Sequence, residues 1–80
     1  MPAIVRTSGQ LGPALRELRR ARGWSQAQLG QRVGLSQERI SNIERRPERI
    51  TVQQLLTVLM ALEAQLVVQE RPPAAASEAW

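Results

Sequence analysis

The 80-residue chain carries eleven arginines against seven glutamates, a formal net charge of +4, with no Lys, Asp, His, Cys, Tyr or Phe. It is long enough for one domain with a small core, and a partner subunit would add stability. The missing Cys exclude a disulfide framework or thiolate metal site and suit a reducing compartment. The missing His and Asp leave little for acid–base or covalent catalysis, so no enzyme, metal or cofactor is expected.

The first helical pattern is TSGQLGPALRELRRARG, residues 7–23, where Leu11, Leu15 and Leu18 recur at helical spacing with Ala14 and Ala21 beside them. Thr7 and Gln10 have capping-box spacing, although Pro13 could instead mark the first turn. Gly23 fits a left-handed C-terminal cap, and Arg19, Arg20 and Arg22 crowd the negative end of the helix dipole. Trp24 then reads as a packing residue, because a ring of that size contributes most when covered.

In SQAQLGQRVG, Ser25 is an N-cap, Gln28 completes a capping box and Gly34 is the stop. Ser36 caps the next pattern, QERISNIERR, with Ile40 and Ile43 on one face, Gln37, Glu38, Ser41, Asn42 and Arg45 turned away, and Pro47 closing it. Thr51 and Gln54 repeat the capping box before LLTVLMAL, whose Leu55, Leu56, Leu59 and Leu62 form a wide apolar stripe. The segment EAQLVVQE alternates instead, as a strand does. A lone strand needs a partner, Ala3–Val5, the same segment of a second copy, or both, and pairing between copies would make a twofold dimer. Beyond it, RPPAAASEAW has two prolines and too few apolar groups to fold alone.

Residues 25–44 therefore hold two short capped helices joined by a glycine turn, with Leu29, Val33, Leu35, Ile40 and Ile43 as core and Gly30 leaving room for a close helix crossing. That is helix-turn-helix spacing. The exposed Gln, Glu, Arg, Ser and Asn of the second helix are the groups that read base edges in a major groove. Residues 1–49 carry ten of the arginines and four glutamates, so the front half suits a polyanion.

The stretch WSQAQLGQRVGLSQERISNIE resembles the XRE family, which includes the phage repressor and Cro proteins. The resemblance covers about residues 7–62. It implies an all-α, lambda-repressor-like helix-turn-helix bundle, here with one C-terminal β-strand in place of the fifth helix, pairing across a homodimer. The implied organisation is an N-terminal arm over 1–6, a DNA-binding domain over 7–63, a dimerisation strand over 64–70 centred on Leu66, Val67 and Val68, and a disordered tail over 71–80. Gln37 is the expected base reader, joined by Glu38, Arg39 and Asn42. Of these, Arg39 could equally hold a phosphate and Glu38 could be only a helix-dipole acid. Gln26 is expected to hold a phosphate and brace Gln37; Ser36, Ser41, Arg45, Arg46 and Arg49 complete the backbone set. Arg19 and Glu44 match positions that pair across helices in related repressors.

The alternating segment and the tail resemble the HipB-like antitoxins. Such a protein represses its own operon from a palindromic operator and binds a HipA-like serine/threonine kinase toxin. A stand-alone repressor without a toxin is the alternative. Trp80, a large ring at the end of a loose tail, reads as an anchor for that partner, a degradation signal, a residue left from expression, or an end with no role. No segment approaches the roughly 20 apolar residues that span a bilayer, and no signal-peptide run opens the chain, so a cytoplasmic, nucleoid-associated protein is expected.

Overall fold

The computed structural model describes residues 3–71. Four α-helices occur in it: α1 (Ser8–Ala21), α2 (Gln26–Val33), α3 (Gln37–Arg45) and α4 (Val52–Ala61), with a 3-10 turn at Pro47–Arg49 between the last two.

Local chemistry sets the boundaries. Ser25, Ser36 and Thr51 each accept from the backbone N–H three residues on, and Gln28 and Gln54 return the bond to complete two capping boxes. At α1, Gln10 Oε1 accepts the N–H groups of Arg6 and Thr7 at 2.6 and 3.2 Å, so Thr7 caps the helix, which runs from Ser8 through Pro13. Pro13 forfeits the bond to the Gly9 carbonyl. The cap before it and the docked leucines after it keep the helix intact.

Gly34 ends α2 in the left-handed conformation. The end of α4 was not legible as such: Glu63 takes φ 57°. Its N–H donates to the Met60 carbonyl and that of Ala64 to Leu59, the paired bonds of a Schellman cap. Arg22 pairs with the Glu63 carboxylate at 2.5 Å, tying the chain's exit from α4 to the end of α1.

Leu15, Leu29, Ile40, Ile43, Val58, Leu59 and Leu62 form the core, with Leu11, Leu18, Trp24, Val33, Leu35 and Leu55 packed around it. The α3 helix lies against α1, α2 and the 3-10 turn, so its base is held from three sides. Two glycines permit this. A Cβ on Gly12 would overlap the Glu44 carbonyl oxygen, which makes Gly12 the close helix crossing between α1 and α3. Gly30, expected to serve a crossing, instead admits the carbonyl of Leu35 from the turn that follows its own helix.

Two expectations shift. Leu56, placed in the apolar stripe, is exposed, and Val52 and Met60 share its face at i, i+4 and i+8. Among the described residues no strand forms: Ala3–Val5 do not pair with residues 64–70, and Leu66, Val67 and Val68 are exposed. A strand is defined by a ladder, and the alternating segment finds none among the described residues. The expected tail falls outside the described residues from 72 onward, Trp80 included.

Candidate nucleic-acid interface

The N-terminus of α3 is fixed by a run of hydrogen bonds that begins in the core. Glu44 is 3% exposed and Arg19 8%. Arg19 grips that carboxylate with two bonds, Nε to Oε2 at 2.6 Å and Nη2 to Oε1 at 3.1 Å, and donates a third, from Nη1, to the Trp24 carbonyl at 2.8 Å. Such a fork holds both partners in one geometry. Arg16 adds a second cation, its Nε 3.7 Å from Glu44 Oε1.

From Glu44 the run continues outward. Gln26 donates from Nε2 to Glu44 Oε1 at 3.1 Å, and its own Oε1 accepts from Gln37 Nε2 at 2.6 Å. Gln37 is thereby held at the first turn of α3 with one N–H committed. Among the described residues its second N–H and its Oε1 have no other partner, which leaves one donor and one acceptor, the pair that adenine's N7 and N6 require.

The remaining predicted residues fall into two groups. Glu38 and Asn42 are exposed on α3 and Ser41 is half-buried beside them. Ser36 is spent on the cap, its hydroxyl accepting the Arg39 N–H at 3.0 Å. Arg39, Asn42, Arg45, Arg46 and Arg49 gather around an open concavity of about 390 Å³ between α3 and the 3-10 turn. Asn42 accepts from Arg45 Nη2 at 2.8 Å, and Arg39 reaches the other way, donating from Nη2 to Gln54 Oε1 on α4 at 3.1 Å. Arg45, Arg46 and Arg49 around one hollow, with Arg39 on its rim, make a surface for anions.

Several contributors were not legible in the sequence. The Gln26–Glu44 bond joins residues 18 apart, and the Arg39–Gln54 bond residues 15 apart, with no local pattern to signal either. Trp24 packs as expected but is only half-buried; the Arg32 guanidinium covers its ring, 4.0 Å from the centroid. Among the described residues no group of three or more potential ligating side chains could hold a metal ion, and no helix is long and apolar enough to cross a membrane.

Comparison with known proteins places this arrangement. The helix-turn-helix family matches residues 15–67, more than half of the chain. The Antitoxin HipB of Escherichia coli K12 is 32% identical over 59 residues, covering 74% of this chain and 67% of that protein. The Antitoxin HipB of a second Escherichia coli strain, CFT073, is 30% identical over 59 residues, covering 74% of this chain and 63% of the relative. Among solved structures, a HipB-O1-O2 complex matches with TM-score 0.78 at 28% identity, over 86% of this chain and all of that one. A HipA-HipB-O2-O3 complex matches with TM-score 0.80 at 27% identity, over 89% and all of the respective chains. The chain thus belongs to the helix-turn-helix family and, within it, to the HipB-like antitoxins.

Proposed function

We propose that this protein is the antitoxin of a type II toxin–antitoxin operon, a homodimer that represses its own operon from a palindromic DNA operator and neutralises a HipA-like serine/threonine kinase. One observation carries the reading. An α3 helix whose outer face offers Gln37, Glu38 and Asn42 stands beside a four-arginine hollow, in a chain that superposes on HipB over most of its length. Gln37 reads a base edge, aided by Glu38, Asn42 and Arg39, and Arg39, lining the hollow, equally suits the sugar–phosphate backbone. Gln26, Ser36, Ser41, Arg45, Arg46 and Arg49 complete that backbone set.

The protein acts without catalysis, metal or cofactor, in the cytoplasm and on the nucleoid, as an arm (1–6), a DNA-binding domain (7–63), a pairing strand (64–70) and a tail (71–80). Trp80 at the end of that tail is an anchor for the kinase or a degradation signal, and the two can coexist if binding shields it from proteases.

Backbone contacts are read out by salt. Arg46→Ala should weaken binding to operator and random duplexes alike and lower the slope of log K against log salt by about one, measured by anisotropy titration at several salt concentrations. An unchanged slope would remove Arg46 from the interface.

Dimer formation uses Leu66, Val67 and Val68 together with the exposed α4 face of Val52, Leu56 and Met60, covered by a second copy. Two recognition helices must reach half-sites about 34 Å apart, which requires two domains held in fixed relation. Val67→Glu should yield monomers in sedimentation with operator affinity reduced by at least about tenfold. An intact dimer would place the interface elsewhere.

The partner is tested by co-purification with the products of neighbouring genes. A kinase should be retained by the full chain and lost or weakened when Ser77 to Trp80 are deleted, with operator binding intact. A chain that represses its own promoter but retains no kinase would be a stand-alone repressor.

A further inference from the structure

We infer that the buried carboxylate of Glu44 determines which base Gln37 reads, by fixing the direction in which two glutamine amides point. This rests on the reading of α3 as the recognition helix. An amide has a donor end and an acceptor end of nearly equal size, so a surface glutamine can present either. Here the choice is forced from below. A carboxylate only accepts, and Arg19 holds Glu44 against changing place. Gln26 must therefore turn its NH₂ inward, 3.1 Å from Glu44 Oε1, which sends its carbonyl outward. That carbonyl in turn takes an N–H of Gln37 at 2.6 Å. Gln37 is left with Oε1 and one N–H for the groove, a mixed donor–acceptor edge. Reversing the polarity at the buried end would turn Gln37 over, its Oε1 accepting from Gln26, so that the donor and acceptor of its outer edge change places and no longer match adenine.

Glu44 touches no base in this scheme. It is a positioning residue, acting through Gln26, and its effect is separable from its structural role by changing the acceptor without changing the shape. In Glu44→Gln the new side-chain oxygen stays on Arg19 Nε, its shortest contact in the wild type at 2.6 Å. With the amide nitrogen where Oε1 was, the bond from Arg19 Nη2 is lost, Gln26 meets a donor and flips, and Gln37 flips after it.

The experiment is selection of binding sites from a randomised duplex pool by the full-length protein, with wild type, Gln37→Ala, Glu44→Gln and Gln26→Ala compared at one salt concentration. Gln37→Ala locates the base pair that Gln37 reads. Glu44→Gln should lose the adenine preference at that same pair, by about tenfold, with the other positions of the site unchanged. Gln26→Ala keeps the Arg19–Glu44 pair and should relax the same pair, so a poorly folded Glu44→Gln protein still leaves a deciding variant. If both variants keep the wild-type preference at the pair located by Gln37→Ala, the relay is wrong while base reading by α3 stands. If wild type enriches no sequence, both fail together.

Discussion

Glu44→Ala should destabilise the protein by about 3–5 kcal/mol, the loss typical of removing one member of a buried ion pair. The carboxylate takes two bonds from Arg19 and one from Gln26. Without it Arg19 stays buried and charged, with only the Trp24 carbonyl as an acceptor. A small domain has total stability at the low end of about 5–15 kcal/mol, so the variant should melt at least about 12 °C lower and be partly unfolded near body temperature. The double replacement Arg19→Met with Glu44→Leu should recover much of this, because it removes the unpaired charge along with the pair. Thermal melts of the three proteins give the answer. A single variant as stable as wild type would mean that the pair is solvated in solution.

The second large effect is expected at Gly12. Alanine in the middle of a helix normally gains about 1 kcal/mol over glycine. At Gly12 the added methyl meets the backbone carbonyl of Glu44, which cannot rotate aside as a side chain could. Overpacking of that kind costs about 3 kcal/mol, so the clash outweighs the propensity and the net loss is about 2 kcal/mol, or roughly 10 °C in Tm. The damage also reaches function, because the displaced element is α3. Gly9→Ala is the matched control: the same helix, an exposed site, and nothing nearer to the new methyl than the Thr7 hydroxyl at 3.9 Å. It should be neutral or stabilising. Calorimetry showing equal melting for both variants would contradict the close crossing of α1 and α3.

These two sites also show where the sequence is readable and where it is not. Ser25, Ser36 and Thr51 announce their helices because a cap is a local bond, closed within three residues. The α3 face was legible for the same reason, since Ile40 and Ile43 fix the inner side and so expose Gln37, Glu38 and Asn42. Gly12 carries no such mark. It looks like any other glycine in a helix until the partner across the crossing, 32 residues on, is known. Gly30 illustrates the same limit from the other side, since the need for a small residue was readable and the group it admits was not.

Pairings across the core were partly accessible. The Arg19–Glu44 pair came from family likeness, and the outward extension through Gln26 to Gln37 combined likeness with a bond to Glu44 that no pattern suggests. At α4 and its C-cap the four leucines 55, 56, 59 and 62 make a stripe wider than one partner surface can cover. Periodicity alone could not tell that Leu56 belongs with Val52 and Met60 on the outside. Residues 64–70 pose a different problem, because a strand needs a ladder and the described residues offer this segment no partner.

In the proposed function α3 reads the operator of its own promoter through Gln37. The direct test is an anisotropy titration of the DNA upstream of its own gene against a random duplex of equal length, wild type beside Gln37→Ala, at one fixed salt concentration. Wild type should prefer the promoter duplex by at least about a thousandfold, and Gln37→Ala should lose about 1–3 kcal/mol on the promoter alone while binding random DNA as before. Equal loss on both duplexes, or no preference in the wild type, would contradict the claim.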